Sequence, residues 1–401
     1  MSFICTFTFC RMKKIALQLF FICTFAHLHI GTLRAQDSSH IRISLLTCTP
    51  GEELYSTFGH SGIRLYDSSR AINDQQDIVF NYGTFNFDDP GFYMKFIRGK
   101  LLYFVSAADF AEFKDEYQST NRGITEQVLN LSGPEKIALE HFLFENIKEE
   151  NKYYKYDFFF DNCTTRLRDI ILQHKKNQAP LNAVMPKETR FRQAIHQYLD
   201  KNNKQWSKLG IDLLLGVPTD VVMTTAQSQF LPENLMKAFD STNTNQQLVL
   251  STANLYPIQH TSSQDPSFFT PTVAFGLLLF LIILLDLSKN KWAAAFLQGF
   301  DGLLFFLTGA IGILLIFMWA GTDHIMTKGN YNLLWAWPAH AIAACCINSK
   351  KQWVKKYLLI TAVGLVIVLL SWFFLPQQLN NSLIIICLLL LFRCARKYMA
   401  I

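Results

Sequence analysis

Cys163 stands in Tyr156-Asp157-Phe158-Phe159-Phe160-Asp161-Asn162-Cys163-Thr164-Thr165-Arg166-Leu167-Arg168, where an aromatic strand is expected to end in Asp-Asn and a helix to start at the cysteine. A helix N-terminus favours an anion through its dipole and its N–H groups, so a thiolate forms there more readily near neutral pH. Freed N–H groups at the same end suit an oxyanion. A thiolate nucleophile needs a base. His60 is the best-placed one, in Phe58-Gly59-His60-Ser61-Gly62-Ile63-Arg64-Leu65, with flanking glycines that leave room for substrate beside the imidazole. A third group should orient the ring. Asn81, in Ile78-Val79-Phe80-Asn81-Tyr82-Gly83, is the candidate, and Asp67 the alternative. His141, His174 and His196 fall on expected helices among charged residues, where solvated faces explain them, and His260 lies in a linker. No pair of these has metal-ligand spacing, so no metal and no other cofactor is expected.

These residues must be carried by a mixed α+β frame. Ile41-Arg42-Ile43-Ser44-Leu45-Leu46 and Gly62-Ile63-Arg64-Leu65-Tyr66 alternate as strands do, and the run holding Asn81 reads as the next strand. Residues 134–150 form a helix capped by Ser132, with Ile137, Leu139, Phe142, Leu143 and Ile147 on its apolar face. A second helix should run from Cys163 to about His174. Residues 86–104 mix aromatics with Lys95, Arg98 and Lys100, either as an amphipathic cover for the core or as a segment that meets a membrane interface. Tyr55, Arg64 and Arg166 are candidate substrate contacts, the two arginines because they can hold phosphate.

The ends of the chain are different in kind. Arg11, Lys13 and Lys14 precede a short apolar run, 15–26, and Thr32-Leu33-Arg34-Ala35 suits cleavage, so 1–35 reads as a signal for export. Residues 36–267 read as an exported catalytic domain and 268–401 as an all-α membrane domain. Its five transmembrane helices are expected at 272–287, 303–320, 333–347, 357–375 and 382–392, with Pro338 inside the third. Lys289, Lys291, Lys350, Lys351, Lys355, Lys356, Arg393, Arg396 and Lys397 fall on one side of these spans and only Lys328 on the other. The positive-inside rule then puts the C-terminus in the cytoplasm. Asp323 and His324, on the outer side, should lie close to the exported site, His340 should bond between helices, and Trp319, Trp335, Trp337 and Trp372 should anchor span ends.

The net charge of +6 is therefore a record of topology, because residues 36–267 carry 23 basic against 28 acidic side chains. No nucleic-acid partner is expected. Export permits a Cys48–Cys163 disulfide, which would block thiol chemistry.

Leu46-Thr47-Cys48-Thr49-Pro50-Gly51, Tyr55-Ser56-Thr57-Phe58-Gly59-His60-Ser61, Asn81-Tyr82-Gly83-Thr84-Phe85 and Asp161-Asn162-Cys163-Thr164-Thr165-Arg166 resemble the exported domain of bacterial lipoprotein N-acyltransferases of the Bacteroidota type. Those proteins join such a domain to a C-terminal multi-span membrane domain. The order of His before Cys also resembles the permuted branch of the NlpC/P60 papain-like superfamily. The resemblance implies that Cys163 is the nucleophile and His60 the base. It implies transfer of an acyl chain from a membrane phospholipid, through a thioester, to the α-amino group of the N-terminal diacylglyceryl-cysteine of a lipoprotein, at the inner membrane. Two alternatives stay open: an NlpC/P60-like cell-wall peptidase or amidase, and a non-catalytic, membrane-anchored binding domain closed by the disulfide.

Overall fold

Ile41, Ile43 and Leu45 point to one face of strand β1 (Ile41–Cys48), Leu46 and Cys48 to the other, and all five are buried. A strand that is apolar on both faces has to be covered twice. The structure, a computed structural model, describes residues 38–69, 76–176, 181–240, 247–257, 268–288 and 290–400. The expected export signal lies outside them, as do His260 and Lys289.

In chain order the first part comprises β1, β2 (His60–Asp67), β3 (Gln76–Thr84), α1 (Phe92–Ile97), β4 (Leu102–Asp109), α2 (Phe110–Ser119), β5 (Ile124–Leu129) and α3 (Gly133–Asn146). It continues through β6 (Tyr153–Lys155), α4 (Cys163–His174), α5 (Phe191–Lys201), α6 (Gln205–Leu214), α7 (Pro232–Asp240) and β7 (Val249–Tyr256). The strands form one antiparallel sheet in the order β6-β4-β3-β2-β1-β5-β7. Leu139 and Leu143 of α3, Leu167 and Ile171 of α4, and Leu235 and Phe239 of α7 cover one face. Phe113 and Tyr117 of α2 cover the other, against Leu46, Cys48 and Val79. Ser132 caps α3 as expected, but the helix stops at Asn146, four residues early. The Asn146 carboxamide there accepts the Tyr82 hydroxyl at 2.7 Å and donates to the Asn151 carbonyl at 3.1 Å.

The aromatic strand expected before Cys163 is not one. β6 holds only three residues, and the chain then turns. Asp157 Oδ1 accepts from the N–H groups of Phe159 and Phe160 at 2.9 and 3.0 Å, and the backbones of Asp157 and Asp161 pair across the turn. An aspartate bonding its own backbone two residues on competes with strand geometry.

The second part is helical: α8 (Pro271–Leu287), α9 (Lys291–Ala320), α10 (Ala339–Ala344), α11 (Gln352–Ser371) and α12 (Leu383–Ala400). Of these, α9 with 30 residues and α11 with 20 are long and apolar enough to cross a membrane. The third expected span is replaced by a 3₁₀ turn, Tyr331–Leu334, and the six-residue α10. Pro338 breaks the segment, and α9 makes room for it with glycines. A Cβ on Gly309 would lie 2.0 Å from the Ala341 nitrogen, and one on Gly312 would lie 2.1 Å from the Ala336 carbonyl oxygen. Trp335 is therefore buried, its indole N–H donating to Asn332 Oδ1 at 3.0 Å, and Trp372 is buried too, so neither is an interfacial anchor. His340 does bond between elements, to the Tyr357 hydroxyl at 2.6 Å. Arg393 of α12 lies buried between Asp286 and Asp301, at 2.8 and 2.7 Å, as a charge within an apolar bundle must be paired.

A polar junction joins the two parts. Asp212 of α6, fully buried, accepts from Arg192 and His196 of α5 at 2.7 and 2.8 Å. Its other oxygen accepts from Asn380, which precedes α12, at 2.9 Å. His196 is thus committed to this junction, where a solvated helix face was expected. The Gln377 amide donates to the Leu215 carbonyl at 2.8 Å, and the Gly216 N–H donates to the Met326 carbonyl at 2.8 Å.

Candidate active site

Each reactive residue sits at the start or middle of an element that fixes its backbone. His60 is the first residue of β2, entered through Gly59 at a φ of +84°. A Cβ on Gly59 would also lie 2.6 Å from the Cys48 carbonyl oxygen, so this turn requires glycine twice over. Asn81 lies opposite Gly62 in the β2–β3 register, and its Oδ1 accepts from His60 Nε2 at 3.1 Å. The His60 ring is also hydrogen-bonded to Cys163.

Cys163 is the first residue of α4, and Asn162 caps that helix. The Asn162 carboxamide oxygen accepts from the N–H groups of Thr164 and Thr165, both at 2.8 Å, while its amide donates to the carbonyls of Phe158 and Phe230. The N–H groups expected to stay free for an oxyanion are therefore spent on the cap at these two positions. The Ser61 N–H donates to the Cys163 sulfur, and the Ser61 hydroxyl lies 3.0 Å from that of Thr164. Gly83, at a φ of +91°, passes beside Cys163, and a Cβ there would touch that of Cys163 at 3.7 Å.

The electrostatics follow from this packing. Burial pushes the Cys163 thiol up, but the His60 charge and hydrogen bond, together with the Ser61 N–H and the Thr164 hydroxyl, lower it from 9.0 to about 7. His60 moves the other way. Burial disfavours its imidazolium, yet the facing Cys163 charge and the bonds to Cys163 and Asn81 raise it above its ordinary value. The pair therefore favours thiolate and imidazolium near neutral pH. Cys48, paired with His60 across β1 and β2, shows what burial does alone. Despite the Tyr117 hydroxyl, its thiol is pushed up to about 12. Both cysteines are free, so the disulfide on which the non-catalytic reading was built is not formed.

Cys163, His60 and Asn81 line a cavity of about 660 Å³ walled by Phe58, Phe85, Tyr103, Tyr156, Phe158 and Phe230. Tyr55 stands at its lining, 73 % exposed, and His324 reaches it from the helical part. His324 Nε2 lies 3.2 Å from the Phe96 carbonyl, and the Asp323 N–H donates to the Arg98 carbonyl at 3.0 Å, so this loop is tied to the end of α1. Asp323 itself does not line the cavity; its carboxylate pairs with Lys155 at 2.6 Å.

Arg64 is not a substrate contact. It is buried, paired with Asp77 at 2.6 Å and Glu126 at 3.1 Å, and stacked on Phe110. Arg166 also lies outside the cavity lining, paired with Asp161 and lying over the Tyr154 ring. Asp67 accepts from the Ser69 N–H and lies at the opposite end of β2 from His60. The role of Asn162 was missed, although Asn162 and Thr165 have the spacing of a capping box. Among the described residues no group of His, Cys, Asp or Glu could hold a metal ion.

Residues 31–196 match the family described as the Lnb N-terminal periplasmic domain, and residues 263–401 match the Lnb transmembrane domain. The two matches span about three quarters of the chain. No curated protein and no solved structure matches it.

Proposed function

The chain belongs to the Lnb family, membrane-anchored proteins of lipoprotein processing with a periplasmic part, and on that premise we propose that it is a lipoprotein N-acyltransferase working through a Cys163 thioester. The observation that carries this reading is a cysteine with its thiol lowered to about 7 by a facing histidine, at the wall of an apolar cavity to which the helical part contributes His324. Apolar and aromatic walls of this kind suit an acyl chain.

The Cys163 thiolate attacks the ester carbonyl of a membrane phospholipid. A C–S bond forms, the C–O bond breaks, and the alkoxide leaves with the proton of the His60 imidazolium as a lysophospholipid. The N–H of Cys163, first in α4, is the donor left at the helix end for the oxyanion. The α-amino group of a diacylglyceryl-cysteine then attacks the thioester while neutral His60 takes its proton. The C–N bond forms, the C–S bond breaks, and the thiolate–imidazolium pair returns. Asn81 holds the ring through both halves. In this reading the enzyme lies in the inner membrane with its site in the periplasm and its C-terminus in the cytoplasm, the side on which its basic loop residues gather.

The test is mass spectrometry of lipoprotein N-termini from cells whose only copy is wild type, Cys163→Ala or His60→Ala. Loss of the N-linked chain in both variants is expected. Full N-acylation by Cys163→Ala would overturn the proposal, and cleavage of cell-wall peptide by the purified protein, without a thioester on Cys163, would favour the peptidase alternative.

A further inference from the structure

A second cavity of about 250 Å³ adjoins the first and shares Leu54, Phe58, Asp157, Phe158 and His324 with it. Beyond that common wall its lining is almost wholly apolar: Phe159, Ile195, Ile211, Leu215, Ile325 and Met326. The main cavity's lining also includes Glu116 of α2 and Arg122, neither of which lines the annex. The charged side chains thus belong to the main cavity, and the annex beyond the common wall is hydrocarbon with Thr327. Asp157, the acidic group at the common wall, already has Oδ1 engaged by two backbone N–H groups.

The annex is built by both parts of the chain. Ile195 comes from α5, Ile211 from α6, and Ile325 and Met326 from the loop that follows α9, a helix long enough to cross a membrane. Ile325 is half exposed, five residues past the end of that helix. The end of a membrane-spanning helix meets the zone where phospholipid esters lie and acyl chains begin.

We propose that this annex receives the distal end of the acyl chain whose carboxyl carbon is bound at Cys163, and that Ile211 and Ile325 limit its length. The proposal rests on the acyl-transfer reading for the identity of the chain, but its geometry is testable without transfer. The helical part then completes the substrate site as well as holding it at the membrane.

The probe is a series of 2-bromoalkanoic acids from four to sixteen carbons, applied to the full-length protein in lipid nanodiscs. The Cys163 thiolate displaces bromide, forming a C–S bond as the C–Br bond breaks, and intact mass gives the rate for each length. Wild type should react faster with the long acids than with the short. Ile211→Trp and Ile325→Trp should cut the long-to-short ratio about tenfold, equivalent to roughly two buried methylenes. Ile325 is exposed enough that its variant folds even where Ile211→Trp does not. Equal ratios in wild type and both variants would overturn the proposal. In cells, the same variants should shorten the chains found on lipoprotein N-termini. A preserved length preference towards the probes with no dependence of N-acylation on Cys163 would sink the transfer reading alone, and the reverse pattern would sink the annex alone.

Discussion

Replacing His60 by alanine should silence Cys163 by a calculable amount. In the native site the thiol is lowered from 9.0 to about 7, a favourable difference of about 3 kcal/mol for the thiolate. The His60 charge and hydrogen bond lead the effects that oppose burial. Without them burial prevails, as it does at Cys48, whose thiol rises to about 12. At pH 7 about half of the wild-type thiol is ionised, whereas a thiol at 9 or above is ionised to about one part in a hundred or less. Alkylation of Cys163 by iodoacetamide at pH 7 should therefore slow by at least about fiftyfold in His60→Ala, with the midpoint of its pH profile moved up by about two units or more. Peptide mass spectrometry reads Cys163 and Cys48 in one sample, and Cys48 should stay unreactive in both proteins. An alkylation midpoint that stays near 7 in His60→Ala would refute the reasoning, since the thiolate would then owe nothing to the imidazole.

Asn81→Ala removes an acceptor from the His60 ring. A hydrogen bond to a charged group contributes ~1.5–3 kcal/mol, so acyl transfer should fall roughly ten- to a hundredfold. Because that bond helps to raise His60, the upper limb of the pH–rate profile should also move to lower pH, and Asn81→Asp should move it back. Asp212→Ala leaves the buried Arg192 with Asp220 as its one remaining carboxylate partner among the described residues, so stability should drop by about 3 kcal/mol, read as a lower midpoint of thermal unfolding in detergent. Gly59→Ala meets both a positive φ and the Cys48 carbonyl, and should destabilise the protein by about 1–3 kcal/mol or more, seen as lower folded yield with Gly62→Ala as the milder comparison.

The grouping of Cys163, His60 and Asn81 was legible because the elements that carry them are announced locally. Asn-Cys-Thr-Thr before an amphipathic run marks a helix start, and Gly-His-Ser-Gly before alternating residues marks a strand entry. What was not legible depended on distant partners. Arg64 has a polar, phosphate-capable side chain in any local window, yet it is held by Glu126, 62 residues away on β5 and brought near only by the strand order. The break in the third expected span turns on Gly309 and Gly312, which make room in the bundle for a broken segment from a separate helix. The aromatic run before Cys163 had strand composition, but Asp157 bonding to Phe159 and Phe160 diverted it.

The same long-range pairings bear on why the helical part is more than a tether. A domain held by apolar contact alone can slide, because such contacts are non-directional. The junction here is directional: Asp212 is held between Arg192, His196 and Asn380, Gln377 takes the Leu215 carbonyl, and Gly216 meets the Lys328 carbonyl so closely that a Cβ would lie 2.0 Å from it. Burying Asp212 and Arg192 is costly unless every partner is in place, so other arrangements of the two parts are penalised. The residues fixed by this arrangement include Met326 and His324, which lie in the cavity walls. The height of Cys163 relative to the end of α9 is then set by hydrogen bonds, and under the proposed acyl transfer that height decides which atom of a lipid reaches the sulfur.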